Sequence, residues 1–136
     1  MNQDLYIVWQ ASQETGIPIL DEQHRGLVSA INTFHHFLRE GQGALAFGPT
    51  LAMLIAYARL HFQTEEALLR QAHYPHLDLH RALHGDLARK LEDLKREGMN
   101  GDASDLLPLL KAWWMGHIGQ EDKKFAGHLW RHREGR

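Results

Sequence analysis

Three histidines stand four residues apart in the stretch YPHLDLHRALH, at His76, His80 and His84, and a fourth stands four residues before an acid in HFQTEE, at His61 and Glu65. On a helix a four-residue step returns a side chain to the same face, so each pair leans the same way from one element. Imidazole nitrogen and carboxylate oxygen are ligands for first-row metals such as iron, zinc and manganese. Further along, HIGQED sets His117 five residues before Asp122. That offset is about 140° around an ideal helix, so only a loosened last turn brings the acid back towards a shared axis, and the neighbouring Glu121 competes for the place. His24, in DEQHRGL, adds one more group of the same chemistry.

Metal chemistry needs these groups on one axis, and the apolar pattern supplies the elements that put them there. Gly and Pro concentrate near residues 16–18, 41–49, 75 and 98–101, dividing the chain into an arm over 1–18 and helices over about 19–40, 49–71, 75–97 and 103–120. The first helix carries His24, Leu27, Val28, Ile31, Phe34 and Leu38 at helical spacing. The second carries Leu51, Leu54, Ile55, Ala58, His61, Phe62, Glu65, Leu68 and Leu69; the third Leu77, His80, His84, Leu87, Leu91 and Leu94; the fourth Leu106, Leu107, Leu110, Trp113, Trp114, His117 and Ile118. The fold expected is all-α: a single domain over 1–136, built as an antiparallel up-down-up-down four-helix bundle. Leu5, Tyr6, Ile7, Val8 and Trp9 make the arm too apolar to float, so it should pack along the bundle. Beyond Gln120 the pattern weakens to a short helix over about 122–130 and a basic, frayed tail.

Each stripe therefore mixes ligand-type groups into a Leu, Ile, Phe and Trp face. A lone inward histidine is ordinarily a core residue satisfied by one hydrogen bond, and an inward Leu or Phe is ordinarily just core. A buried carboxylate is costlier, by several kcal/mol unless it is compensated, and Glu65 has no Lys or Arg on its own stripe. Five histidines and one or two acids converging from four helices share that desolvation cost, and one shared cation or cation cluster removes it. Spacing leaves His76, His80 and His84 equivalent, but the leucine seam separates them. His80 and His84 fall within about 30° of the centre of the Leu77–Leu94 stripe, and His76 lies about 50° off it.

Composition narrows the partners. The chain has 136 residues, a formal charge of −2 and scattered basic residues, so the electrostatic footprint of a nucleic-acid binder is missing. With no cysteine, thiolate metal sites, iron–sulfur clusters, disulfides and a cysteine nucleophile are all excluded. There is no basic n-region followed by a long apolar run, and no 18-residue apolar stretch is expected, so the protein should be cytoplasmic, without membrane insertion. Of eleven histidines, His35, His36, His73, His76, His128 and His132 stay outside the set, at surface or helix-end positions.

The pattern His24, then His61 and Glu65, then His80 and His84, then His117 and Asp122 resembles the ligand set of the hemerythrin family, in particular its single-domain bacterial members. TGIPILDEQHRGL is similar to the family's entry to the first helix, HFQTEEALL to its second-helix motif and YPHLDLHRALH to its third, so the resemblance spans nearly the whole chain. It implies two iron ions with a bridging oxo or hydroxo group, binding dioxygen reversibly rather than acting as an enzyme. By the resemblance, His80, His84 and His117 hold one iron, His24 and His61 the other, and Glu65 and Asp122 bridge them, leaving one position open at the second iron for O2. Leu27, Val28, Phe62, Trp113 and Trp114 are the expected walls of that pocket. Trp114 stands where the family has leucine, and its indole either fills the pocket or turns out onto the arm. Storage of O2 or delivery to an oxygen-consuming enzyme is the leading expectation. Sensing through a separate partner, and peroxide or nitric oxide reduction at the same site, are the alternatives. The sequence specifies no oligomeric state, and a monomer suffices for the ligand set. His80→Ala and His84→Ala should each lose iron by metal analysis of the purified protein, whereas His76→Ala should retain both ions.

Overall fold

The computed structural model describes residues 5–97, 106–113, 116 and 122–133, and among these there is no strand. A short 3-10 turn at Ala11–Gln13 precedes α1 (Pro18–Arg39), α2 (Gly43–Gln71), α3 (Leu77–Glu97), α4 (Leu106–Trp113) and α5 (Asp122–Arg133). The chain is an antiparallel helical bundle in which α2 packs on both α1 and α3, α4 packs on α1, and α5 packs on α2. Trp114, His117 and most of the latter half of the expected fourth helix lie outside the described residues, as does the side chain of Asp122.

Local chemistry fixes the joints. Pro18 opens α1 at its first position, where a missing N–H costs nothing. In that first turn Asp21 is buried yet satisfied: one carboxylate oxygen accepts from the Thr15 amide and hydroxyl at 2.8 and 2.9 Å, the other from the Gly16 amide at 3.1 Å. At the far end Gly41, at φ 74, lets the Gln42 amide reach Phe37 O at 2.8 Å and its own amide reach Leu38 O at 3.1 Å. These two bonds form a Schellman cap that reverses the chain within three residues. The same pair of bonds closes α2, from Tyr74 to Leu69 and from His73 to Arg70, with His73 in the left-handed place at φ 55.

Three boundaries differ from the sequence reading. The second helix begins at Gly43 rather than near residue 49, so Pro49 lies inside it. The turn and a half ahead of the proline is held by packing, with Ala46 buried in the core and Phe47 set against Phe34 at 6.3 Å, which offsets the lost backbone bond. The third begins at Leu77, two residues after Pro75, because the chain first makes a turn in which the Leu77 amide reaches Tyr74 O. The short C-terminal helix expected over about 122–130 is α5, which runs three residues further to Arg133, buries Ala126 and Leu129, and sets His128 Nε2 to donate to Ala72 O at 2.6 Å.

The arm is clamped rather than merely laid down. Asn32 Oδ1 accepts from the Tyr6 and Ile7 amides at 2.9 and 2.8 Å, and its Nδ2 donates to Ile7 O at 2.8 Å. Ile7 is buried, while Leu5 and Val8 face out. Trp9 packs beside the core under the Arg25 guanidinium, 5.0 Å away. One expectation about length needs correcting: α2 is by size and composition apolar enough to cross a membrane. Here its apolar stripe faces α1 and α3 instead, and the same stripe carries the buried His61 and Glu65.

Among the described residues the buried apolar side chains fall into two clusters. One gathers Leu27, Ile31, Phe34, Leu54, Phe62, Leu91, Leu110 and Trp113, among others; the second is Ile17, Leu20, Leu69, Ala72 and Leu129. The gap between them lies, on α1, between Leu20 and Leu27, and on α2 between Phe62 and Leu69. Beside that gap Gly26 on α1 leaves room for the Tyr57 ring of α2, because a Cβ there would run into it. Gly26→Ala should cost about 1–3 kcal/mol as an overpacking change. Thermal unfolding should show the loss, and Gly26→Ala should cost less in a Tyr57→Ala background than in the unaltered chain.

Candidate metal centre

The gap in the apolar core is filled by one polar layer. His24 and His61 are completely buried, as is Glu65, and His80 and His84 are buried beside them, whereas His76 is exposed. The ligand-type atoms of His24, His61 and Glu65 lie within 4.8 Å of one another, and so do those of Glu65, His80 and His84. Glu65 is thus common to two groups of donors. Its two oxygens are divided between them: Oε2 faces His61 Nε2 at 3.0 Å, and Oε1 faces His84 Nε2 at 3.0 Å and, in close contact, His80 Nε2. The four-residue steps do what the helix period dictates, stacking His61 over Glu65 on α2 and His80 against His84 on α3 with ring centroids 4.5 Å apart.

Two imidazoles are oriented from behind. Thr64 Oγ1 donates to Leu60 O at 2.9 Å, which leaves the hydroxyl oxygen to accept from Gln23 Nε2 at 3.0 Å. The amide of Gln23 is thereby set with its oxygen towards His61 Nδ1, 2.9 Å away. Gln23 Oε1 only accepts, so His61 donates from Nδ1, and in the neutral ring its Nε2 carries a lone pair aimed at the Glu65 carboxylate. On the other side His84 Nδ1 contacts Glu66 Oε2 at 2.7 Å, again leaving the Nε2 lone pair towards Glu65. Lone pairs directed at a carboxylate at 3.0 Å are repulsive without a positive charge among them. Nitrogen donors fixed in this tautomer by partners behind the ring are the form a metal accepts, so the donor set fits a cation on either side of Glu65.

The contrast with Asp21 sharpens the point. Both acids are buried, but Asp21 is surrounded by N–H and O–H donors from its own loop, whereas the groups facing Glu65 are imidazoles. Leu27, Val28, Phe62 and Trp113, expected as pocket walls, are all buried in the apolar cluster above the polar layer. Phe62 stacks on His84 with centroids 4.0 Å apart and ring planes 10° from parallel. The residues that the sequence reading missed are Gln23, Thr64 and Glu66, each one residue from an expected ligand. Their types are ordinary on a solvated face; the only signal available was the general need of a ligating histidine for an acceptor behind its ring.

An all-helical bundle with a shared buried glutamate between two histidine groups is a metal-binding domain. The chain belongs to the hemerythrin family: residues 15–129 match the family model described as the hemerythrin HHE cation binding domain. It is 29% identical over 126 residues to a bacteriohemerythrin of Pseudomonas aeruginosa, covering 91% of this chain and 80% of that one. It is 27% identical over 121 residues to a myohemerythrin of Theromyzon tessulatum, covering 89% and 92% of the two chains. Among solved structures, a hemerythrin point variant superposes with a TM-score of 0.82 at 26% identity, covering 92% of this chain and 98% of that one. Gln23→Leu should preserve the helical circular dichroism and weaken divalent-metal binding by about 10- to 100-fold, measured by calorimetric titration of the metal-free protein.

Proposed function

We propose that this protein binds dioxygen reversibly at a non-haem di-iron centre, for storage or for delivery to an oxygen-consuming enzyme. The observation that carries the reading is the division of Glu65, one oxygen towards His61 and the other towards His80 and His84. A carboxylate so placed suits a bridge between two ions. His24 and His61 would hold one iron and His80 and His84 the other, with Glu65 shared between them; the resemblance adds His117 to the second group and Asp122 as a further shared carboxylate. When bound, the iron pair supplies the two electrons that O2 capture requires and recovers them on release.

The chain's own residues make the site a binder. Burial of His24, His61 and Glu65 keeps bulk water from the layer, and the apolar cluster with Leu27, Val28, Phe62 and Trp113 closes it from one side. Water exclusion favours reversible capture, because side reactions of a bound oxidant need protons and solvent. The sequence has two acids in its ligand set and no Glu-x-x-His element, unlike the four-glutamate bundles built for di-iron oxidation chemistry, and this supports a carrier over an enzyme. Work in the cytoplasm is the matching location: the apolar stripe of α2 is taken up by α1 and α3, and the same stripe carries the buried His61 and Glu65.

Metal analysis followed by oxygen titration tests the reading. The purified chain should hold two irons, and the anaerobic, reduced protein should gain a visible absorption band with O2 that disappears on deoxygenation. One-way oxidation by O2 would instead indicate reductase or sensor chemistry, and a chain that holds zinc and refuses iron ends the di-iron reading.

A further inference from the structure

The two imidazoles that are braced from behind are braced differently. His61 leans on a neutral amide, Gln23, within the buried layer; His84 leans on a carboxylate, Glu66, which is 23% exposed. Glu66 faces a groove of about 480 Å3 between α2 and α3, lined also by Arg59, Phe62, Arg81 and Gly85. Arg81 Nε lies 3.4 Å from Glu66 Oε1, the oxygen that does not face His84, and so holds the carboxylate with one oxygen on the arginine and the other on the imidazole. Phe62 stacked on the His84 ring closes the remaining face. The ring therefore has its tautomer, tilt and rotation fixed by Glu66 and Phe62 before any ion arrives.

We propose that Glu66 is a positioning residue for His84, setting from the solvent side how tightly the His80 and His84 half of the centre holds its metal. This rests on the metal-centre reading above. The physical reason is that a hydrogen bond to an anion draws the Nδ1 proton outward and raises electron density at Nε2, making it a stronger donor than an imidazole bonded to an amide. Gln23 serves the His24 and His61 half without that charge, so the two halves of one centre are tuned by separate side chains, one buried and one reachable from solvent. Since Glu66 opens on a groove, it can be changed without leaving a hole in the core.

The test uses the full chain, stripped of metal, titrated with Co2+ and with Zn2+ by calorimetry, alongside 15N spectra of the histidine rings in the metal-free protein. Glu66→Leu should weaken one of two binding steps by about 10- to 100-fold and leave the other alone, while Gln23→Leu weakens the step that Glu66→Leu spares. Glu66→Gln, which keeps an acceptor but loses the charge, should hold the His84 tautomer in the ring spectra and give an intermediate loss of affinity. Unchanged thermal unfolding of metal-free Glu66→Leu would separate positioning from simple destabilisation. If the wild type takes up two ions and Glu66→Leu binds both as tightly, with its His84 ring signals unmoved, the assignment of Glu66 is wrong and the metal centre stands. If the wild type takes up neither ion, the metal-centre reading falls, and this inference with it.

Discussion

A carboxylate with no exposed surface, faced by imidazole nitrogens on both of its oxygens, is the constraint around which this bundle is organised. Burying Glu65 costs several kcal/mol unless positive charge compensates it, and no lysine or arginine approaches along its own stripe. The fold accommodates that cost by interrupting its apolar core. Leu20 and Leu69 close the layer on one side and Leu27 and Phe62 on the other, so water is excluded while the imidazoles and the carboxylate remain within reach of one another. The interruption also explains features that look remote from chemistry. Gly26 leaves room for the Tyr57 ring of α2 beside the layer, and the Schellman caps at Gly41 and His73 turn the chain tightly enough to set three helices side by side.

Support for the buried imidazoles is graded outward from that carboxylate. Thr64 orients Gln23, Gln23 orients His61, and His61 faces Glu65; on the opposite side Arg81 holds Glu66, Glu66 orients His84, and His84 faces the same Glu65. Each chain of contacts begins on a helix surface and ends in the interior. Hydrogen bonds with a fixed direction transmit tautomer as well as position, which lets an outer residue decide which ring nitrogen is a donor to metal.

Much of this was legible in the sequence because helical periodicity and burial are read by the same rule. The leucine seam of the third helix separated His80 and His84 from His76, and in the structure the first two are buried and the third is exposed. The stripes of the first two helices likewise put His24, His61 and Glu65 inside. Periodicity could not reach Gln23, Thr64 and Glu66, since polar residues next to a ligand fall where a solvated face also falls, and only their partners across the helix interface reveal them. Pro49 misled for a different reason: a helix-breaking residue was outweighed by tertiary packing of Ala46 and Phe47. The C-terminal helix was expected from sequence, but not its packing, because its apolar residues are few: Leu129 joins the second cluster, Ala126 is buried, and α5 packs on α2.

The central claim is that Glu65 lies between two metal ions rather than beside one or none. An anomalous difference map from crystals of the chain grown anaerobically with ferrous iron tests it most directly. The account predicts two peaks flanking the Glu65 carboxylate, one on the His24 and His61 side and one on the His80 and His84 side. A single peak, or iron found only at the surface histidines with the polar layer empty, would contradict it.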